Sequence, residues 1–237
     1  PRSTPKPSSA ASDVYKRQAI YSDESLSRDT LNDAYQQLFV TMVIDHVHHI
    51  VDCVNKRKTP EPMRLLLLGT AGSGKTRSVQ TTLQEIQRAL AKAELPVDVD
   101  PANFVRVGAP TGSAAFNLRF QATTIHRLIH WYTPPYFREV QNAEALQRLQ
   151  RDLEHVQLLI LDEMSMIGRQ MMGRIDSRME QAKAGIATPD EALGGVSCVL
   201  VGDPAQCEAI MDQQIYDTTP HKATMTDMGK QLSLIHI

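Results

Sequence analysis

The sequence predicts a parallel α/β sheet with helices on both faces. Three observations carry that expectation. Short, wholly apolar runs recur at MRLLLL (63–68), VQLLIL (156–161) and VSCVLV (196–201), as strands buried on both faces require. Between them lie stretches whose apolar residues recur three and four apart, the spacing of amphipathic helices. A glycine-rich turn joins the first apolar run to such a stretch, so strand and helix alternate along the chain.

Taken in order, residues 1–18 are rich in Pro and Ser and show no hydrophobic periodicity. They resemble translated sequencing-adaptor read-through or a disordered arm, and LSLIHI (232–237) has the same adaptor-like character, so neither is expected to belong to the fold. Residues 19–60 are expected to form an N-terminal helical segment. There Leu31, Tyr35, Leu38, Met42, Val43, Val47, Ile50 and Val54 mark one face of a long helix, which Pro60 and Pro62 end. Residues 61–218 read as one α/β domain. After MRLLLL and its glycine turn, Val79, Leu83, Ile86 and Leu90 mark a helix, FVRVGA (104–109) a strand, and Leu146, Leu149 and Leu153 a helix. Met164, Ile167, Met171, Ile175 and Met179 then trace a single helical stripe, read as core. Residues 219–237 are expected to be a truncated end.

Composition bounds the function. The chain has 237 residues, 42% hydrophobic and 22% charged, as in an ordinary globular protein. No apolar run approaches the roughly 18–20 residues that span a bilayer, so no membrane partner is expected. Three cysteines without CxxC spacing argue against a disulfide scaffold or a zinc ribbon. The net charge of −2 speaks against a nucleic-acid partner. Residues 1–18 carry four cations against one anion, so the body of the chain is more acidic still.

The motifs point elsewhere. Residues 69–76 read GTAGSGKT, matching G-x-x-x-x-G-K-[ST] between a strand and a helix. Gly72 and Gly74 let successive backbone N–H groups turn toward a phosphate, and the helix opening at Lys75 aims its positive end at the same anion. Lys75 is expected to reach the β/γ-phosphates of ATP and the Thr76 hydroxyl to bind Mg²⁺. In LLILDEMS (158–165), Asp162 and Glu163 emerge where a parallel strand ends, the side on which open sheets bind ligands. Asp162 fits a magnesium carboxylate, and Glu163 a general base for attacking water. VLVGDPAQ (199–206) ends a third strand, where Gln206 is a candidate γ-phosphate contact. A plain turn accounts for that composition equally well.

GTAGSGKT, APTGSAAFNL (109–118), TTIHRL (123–128), LLILDEMSMIG (158–168) and LVGDPAQ (200–206), in that order, resemble the first motor domain of a superfamily 1 DNA helicase. The similarity is to the petite-integration-frequency type, including the helicase domains of Helitron transposons, and covers about residues 31–217. The resemblance implies a RecA-like P-loop NTPase fold and Mg²⁺-dependent ATP hydrolysis coupled to five-prime to three-prime translocation along single-stranded DNA. It implies that Gly69, Ala71, Gly72, Ser73, Gly74, Lys75 and Thr76 hold the nucleotide and that Lys75, Glu163 and Gln206 act in catalysis. Thr111, Gly112, Thr124 and His126 match positions that touch the DNA backbone, and Gln36 matches a glutamine that reads the adenine edge. The family pattern continues Leu-Pro-Pro after GDPAQ, whereas Cys207, Glu208 and Ala209 stand here. The chain is expected to be a fragment lacking a second motor domain that supplies arginine fingers and half of the DNA track. Its parent is expected to be intracellular, nuclear with a mitochondrial location as the alternative, and to serve DNA repair, recombination and telomere maintenance, or transposition.

Trp131, Tyr132, Tyr136 and Phe137 crowd four aromatics into seven residues beside Arg127 and Arg138. They suit base stacking, with Trp131 as the candidate; a loop packing its own aromatics is the competing reading. His46, His49 and Cys53 share a helical face that has the geometry of a zinc site, but a polar helix face explains them at less cost. Two other functions compete with the helicase: a nucleotide- and DNA-binding module without turnover, and another P-loop ATPase of AAA+ or DNA-repair type.

Overall fold

The computed structural model describes residues 26–27, 31, 33–97, 99–132, 137–186 and 191–217. Its first long element is α1 (Ala34–Asn55), started by the Asp33 carboxylate, which accepts from the backbone N–H of Tyr35 and Gln36. Then follow β1 (Arg64–Leu68), α2 (Lys75–Lys92), β2 (Val105–Ala109), α3 (Gly112–Leu118), β3 (Thr123–Thr124) and α4 (Ile125–Leu128). The chain continues through α5 (Ala143–Leu153), β4 (Leu158–Leu161), α6 (Arg169–Ala182) and β5 (Ser197–Gly202). All five strands are parallel, in the order β1-β5-β4-β2-β3. The doubly covered parallel sheet expected from the alternation is therefore the fold.

Strand alternation builds the two cores. Leu158 and Ile160 of β4 and Val199 and Val201 of β5 face a cluster with Val43, Val47 and Ile50 of α1 and Val79, Leu83 and Ile86 of α2. Their neighbours Leu159, Leu161, Cys198 and Leu200 face the opposite cluster, with Leu149 and Leu153 of α5 and Ile175 and Met179 of α6. β1 differs from the fully buried strand that MRLLLL suggests. It pairs only with β5 among the described residues, and Leu68 is 48% exposed.

The stripe on α1 is also corrected. Phe39, Val40, Val43, Val47 and Ile50 are buried, while Tyr35, Leu38 and Met42 face outward, Tyr35 at 81% exposure. The spacing allowed two adjacent faces, and α2 together with the sheet chose the one richer in branched side chains. The Met164–Met179 stripe is broken as well. Met164–Met166 forms a single 3₁₀ turn, Ile167 and Gly168 are extended, and α6 starts only at Arg169. The core role of the stripe survives at Met164, Ile167, Ile175 and Met179, with Met172 buried in place of Met171.

Polar groups tie the layers together at the end of the sheet where the strands begin. His46 Nε2 lies 2.7 Å from Ser197 Oγ, which also accepts from the Met63 N–H, so α1 is pinned to the start of β5 and, through it, to the residue that leads into β1. Among the described residues no cluster of three His, Cys, Asp or Glu suits a metal ion, and His49 instead lies 3.6 Å from the Cys53 sulfur. No helix among them is long and apolar enough to cross a membrane.

Lys183, just past α6, is only 4% exposed and donates from Nζ to the Glu154 carbonyl at 2.5 Å. Burial pulls its pKa down to about 8, opposed by Glu154. Below that pH the ammonium is charged in both folded and unfolded chains, and its burial cost is fully present. Between about 8 and the ordinary 10.5 the folded chain releases the proton first, so stability rises with pH. Lys183→Met is therefore expected to raise the thermal midpoint at pH 7, with the advantage shrinking from pH 8 to 10.5 in paired melting curves.

Candidate nucleotide and nucleic-acid site

The candidate residues converge because every strand is parallel and ends on the same edge. β1 delivers the glycine loop, β5 the Gln206 turn and β4 the Asp162–Glu163 pair, with β5 between the other two. Further along the edge, β2 leads into Thr111 and Gly112, and the outer strand β3 carries Thr124 into His126. The expected nucleotide residues thus occupy one flank of the edge and the expected DNA residues the other.

The loop backbone is set by glycine. Gly72 and Gly74 have φ of 77° and 86°, in the left-handed region that disfavours side chains. A Cβ on Gly74 would sit 2.5 Å from Gln36 Nε2, which donates to the Ser73 carbonyl at 2.7 Å. Gln36 is therefore seated on the loop itself, 37 residues away in sequence. α2 begins at Lys75 with no side-chain cap on its first turn. Lys75 Nζ donates to the carbonyls of Gly69 and Thr70, at 2.6 and 2.9 Å, so the loop holds its own ammonium in place. Ala71, Ser73 and Thr76 are exposed at the mouth.

Asp162 extends the β4 ladder, its N–H donating to the Gly108 carbonyl. The side chain is buried. Burial raises its pKa above the usual carboxylate value, while the Glu163 backbone N–H and the charge of Lys75 oppose the rise. Glu163 adopts φ 55° and ψ 48°, a left-handed conformation that costs a non-glycine residue of order 1–3 kcal/mol. At the end of β5, the Gly202 carbonyl accepts from the Gly69 N–H at 3.2 Å. A Cβ on Gly202 would meet the Met164 backbone nitrogen at 2.8 Å. Gln206 is turned inward, its Nε2 donating to Asp203 at 3.3 Å.

The residues fit a magnesium–nucleotide. The first turn of α2 lacks a side-chain cap, and Asp162 is a buried carboxylate with no cation at ion-pair distance among the described residues.

On the other flank, the Thr111 hydroxyl accepts from the Ala114 N–H and caps α3, and the Thr124 hydroxyl does the same for Arg127 on α4. Gly112 is exposed, with open space where a Cβ would stand. His126 is half-buried, and burial holds its pKa below the usual value, with Arg174 adding to the effect. Trp131 is corrected as a base-stacking residue. It is 5% exposed, with the His126 ring stacked on it at 4.6 Å and the Arg174 guanidinium over it at 4.4 Å. Phe137 meets it edge-on, under Arg178. The loop packs these aromatics because their area is worth more inside the second core than exposed. Tyr132, 67% exposed, is the open ring, and Tyr136 lies outside the described residues.

One feature of the site had no motif. Asp212 accepts from the N–H groups of Gln170 and Met171 and caps α6 across some 40 residues. A Cβ on Gly168 would strike that carboxylate at 2.2 Å. The only signal in sequence is a helix whose start, at Gly168, offers no capping side chain.

A sequence-family profile described as an AAA domain matches residues 58–233. No curated protein matches the chain. Among solved structures, the Pif1 helicase of Candida albicans is similar with a TM-score of 0.53 at 18% identity, over 76% of this chain and 34% of that one. The Pif1 helicase of Bacteroides, in complex with ADP-AlF3 and single-stranded DNA, gives a TM-score of 0.50 at 23% identity, over 78% and 35%. At these identities the likeness is one of fold. The chain spans about a third of the length of these proteins.

The raised pKa of Asp162 has a measurable consequence. Whatever stability its protonated form contributes is present below the ordinary value of 3.8 and is lost as pH rises through the higher folded-state value. Asp162→Asn is expected to melt higher than the parent at pH 7 without ligands. The two melting curves should converge as the pH falls below 4.

Proposed function

Since this chain belongs to the AAA-domain family, whose profile covers residues 58–233, we propose that it is the first motor domain of a petite-integration-frequency type DNA helicase. In this reading ATP hydrolysis drives five-prime to three-prime movement along single-stranded DNA. The observation that carries it is the shared sheet edge, with nucleotide-type residues on β1, β5 and β4 and the Thr111 and Thr124–His126 elements beside them on β2 and β3. The Bacteroides neighbour, which holds ADP-AlF3 and single-stranded DNA, supports the pairing of ligands.

Bound Mg²⁺-ATP supplies the phosphoanhydride and the metal charge that polarises it. The chain's own residues supply the rest. Lys75 leaves the Gly69 and Thr70 carbonyls for the β/γ-phosphates, and the uncapped turn of α2 donates its N–H groups to them. Thr76 and Asp162 hold the cation, which offsets the desolvation of the carboxylate. Glu163, which follows Asp162 in a left-handed turn, takes a proton from the attacking water. Gln206 exchanges Asp203 for the γ-phosphate, and Gln36 reads the adenine edge from its seat on the loop. Thr111, Gly112, Thr124 and His126 engage the DNA backbone. A second motor domain of the parent protein supplies the arginine fingers, whose contribution of about 10³–10⁵ in rate makes the isolated chain a slow ATPase. The reading places that parent in the nucleus.

Two measurements test this. Lys75→Ala is expected to lose binding of ADP-aluminium fluoride by about 100-fold in calorimetry, whereas Glu163→Gln keeps binding and loses the residual hydrolysis. Single-stranded oligothymidine should bind the parent chain, and Thr111→Ala with His126→Ala should weaken it about 10-fold. DNA binding that ignores both substitutions would favour an AAA-type ATPase that acts on another partner.

A further inference from the structure

Arg174, which lies over the Trp131–His126 stack, and Asp212, which caps α6 from a distance, belong to no motif, yet one helix joins them. At its first turn, Asp212 holds the Gln170 and Met171 N–H groups, while the Gln213 carbonyl takes that of Arg169. One turn later Arg174 lies over Trp131, and Trp131 stacks on His126. The segment bearing Asp212 is in turn fastened to the Gln206 turn, because the Tyr216 hydroxyl donates to the Pro204 carbonyl at 3.0 Å. Ile215 is buried in the same core as Trp131. The contacts are thus continuous from the Gln206 turn to His126.

Resting on the nucleotide and DNA reading above, we propose that α6 couples the Gln206 turn to the His126 side of the edge, with Asp212 and Arg174 as positioning residues. When Gln206 exchanges Asp203 for a γ-phosphate, the turn carries Pro204 and, through Tyr216, the segment that clamps α6. The helix cannot shed the clamp, since Asp212 satisfies N–H groups that Gly168 leaves open. Its displacement moves the Arg174 guanidinium over Trp131 and so changes how firmly the indole holds the His126 ring. The helix is the shared element that both ligands bias. Arg174 is not among the residues assigned to either ligand, so its role is separable from binding itself.

The chain's single tryptophan is Trp131, so the stack reports on itself. The experiment uses the whole chain, Mg²⁺ with ADP-aluminium fluoride, and labelled oligothymidine. It measures tryptophan emission and the ratio of DNA affinities with and without nucleotide. In the parent, nucleotide should change the emission and alter DNA affinity by about fivefold or more, the usual range of such coupling. Arg174→Met and Asp212→Ala should bring that ratio to within about twofold of unity while each ligand alone still binds. Arg174→Lys, which keeps a cation over the ring, should restore most of it. Arg174→Met decides alone if Asp212→Ala does not fold. Both ligands binding the parent with an unaltered ratio in Arg174→Met would overturn the coupling and leave the functional reading standing. Failure of the parent to bind either ligand would overturn the reading, and the coupling with it.

Discussion

The site depends on one close approach, at Gly202. Its carbonyl takes the first N–H of the glycine loop, and the backbone of Met164 lies where any side chain would stand. A Cβ there would push the turn after β4 away from the end of β5. The acid pair and the Gln206 turn would then lose their common reference. The approach is possible because β5 runs parallel between β1 and β4, so all three chains leave the sheet on the same side. A parallel sheet fixes the side on which loops gather, and a missing side chain fixes how tightly they gather.

Around that contact the polar groups are already satisfied from within. Lys75 is held by two loop carbonyls, Gln206 by Asp203, and the hydroxyls of Thr111 and Thr124 by helix N–H groups. Any ligand must exchange these bonds, and the net gain per exchange is about 1 kcal/mol, not the gross strength of a hydrogen bond. Binding on this edge is therefore inseparable from local rearrangement. Asp162 is the exception, a buried carboxylate whose charge is only partly offset by Lys75 and one N–H. The same economy extends to two arginines. Arg174, half-buried, lies over Trp131, and Arg178, buried, lies over Phe137, so these two cations serve packing.

How much of this was legible follows from the range of each interaction. GTAGSGKT, DEMS and GDPAQ could be placed at strand ends because the apolar runs before them disclose β1, β4 and β5. Helix facing was harder. Tyr35, Leu38 and Met42 share the helical period with Val43, Val47 and Ile50, and only packing against α2 and the sheet separates them. Trp131 was misread for a related reason: an aromatic beside cations looks the same in sequence whether it awaits a base or covers a core.

The sequence by itself determined the strand–helix alternation, the glycine loop and the carboxylate pair, since these rest on local periodicity and on backbone freedom that glycine alone provides. The tertiary structure decided the strand order, the seat of Gln36 on the loop and the cap that Asp212 lends to α6. The Gln36 and Asp212 contacts join residues 37 to 42 positions apart. Nothing in local spacing encodes which distant group will satisfy an N–H, because that choice is made only when the two cores close.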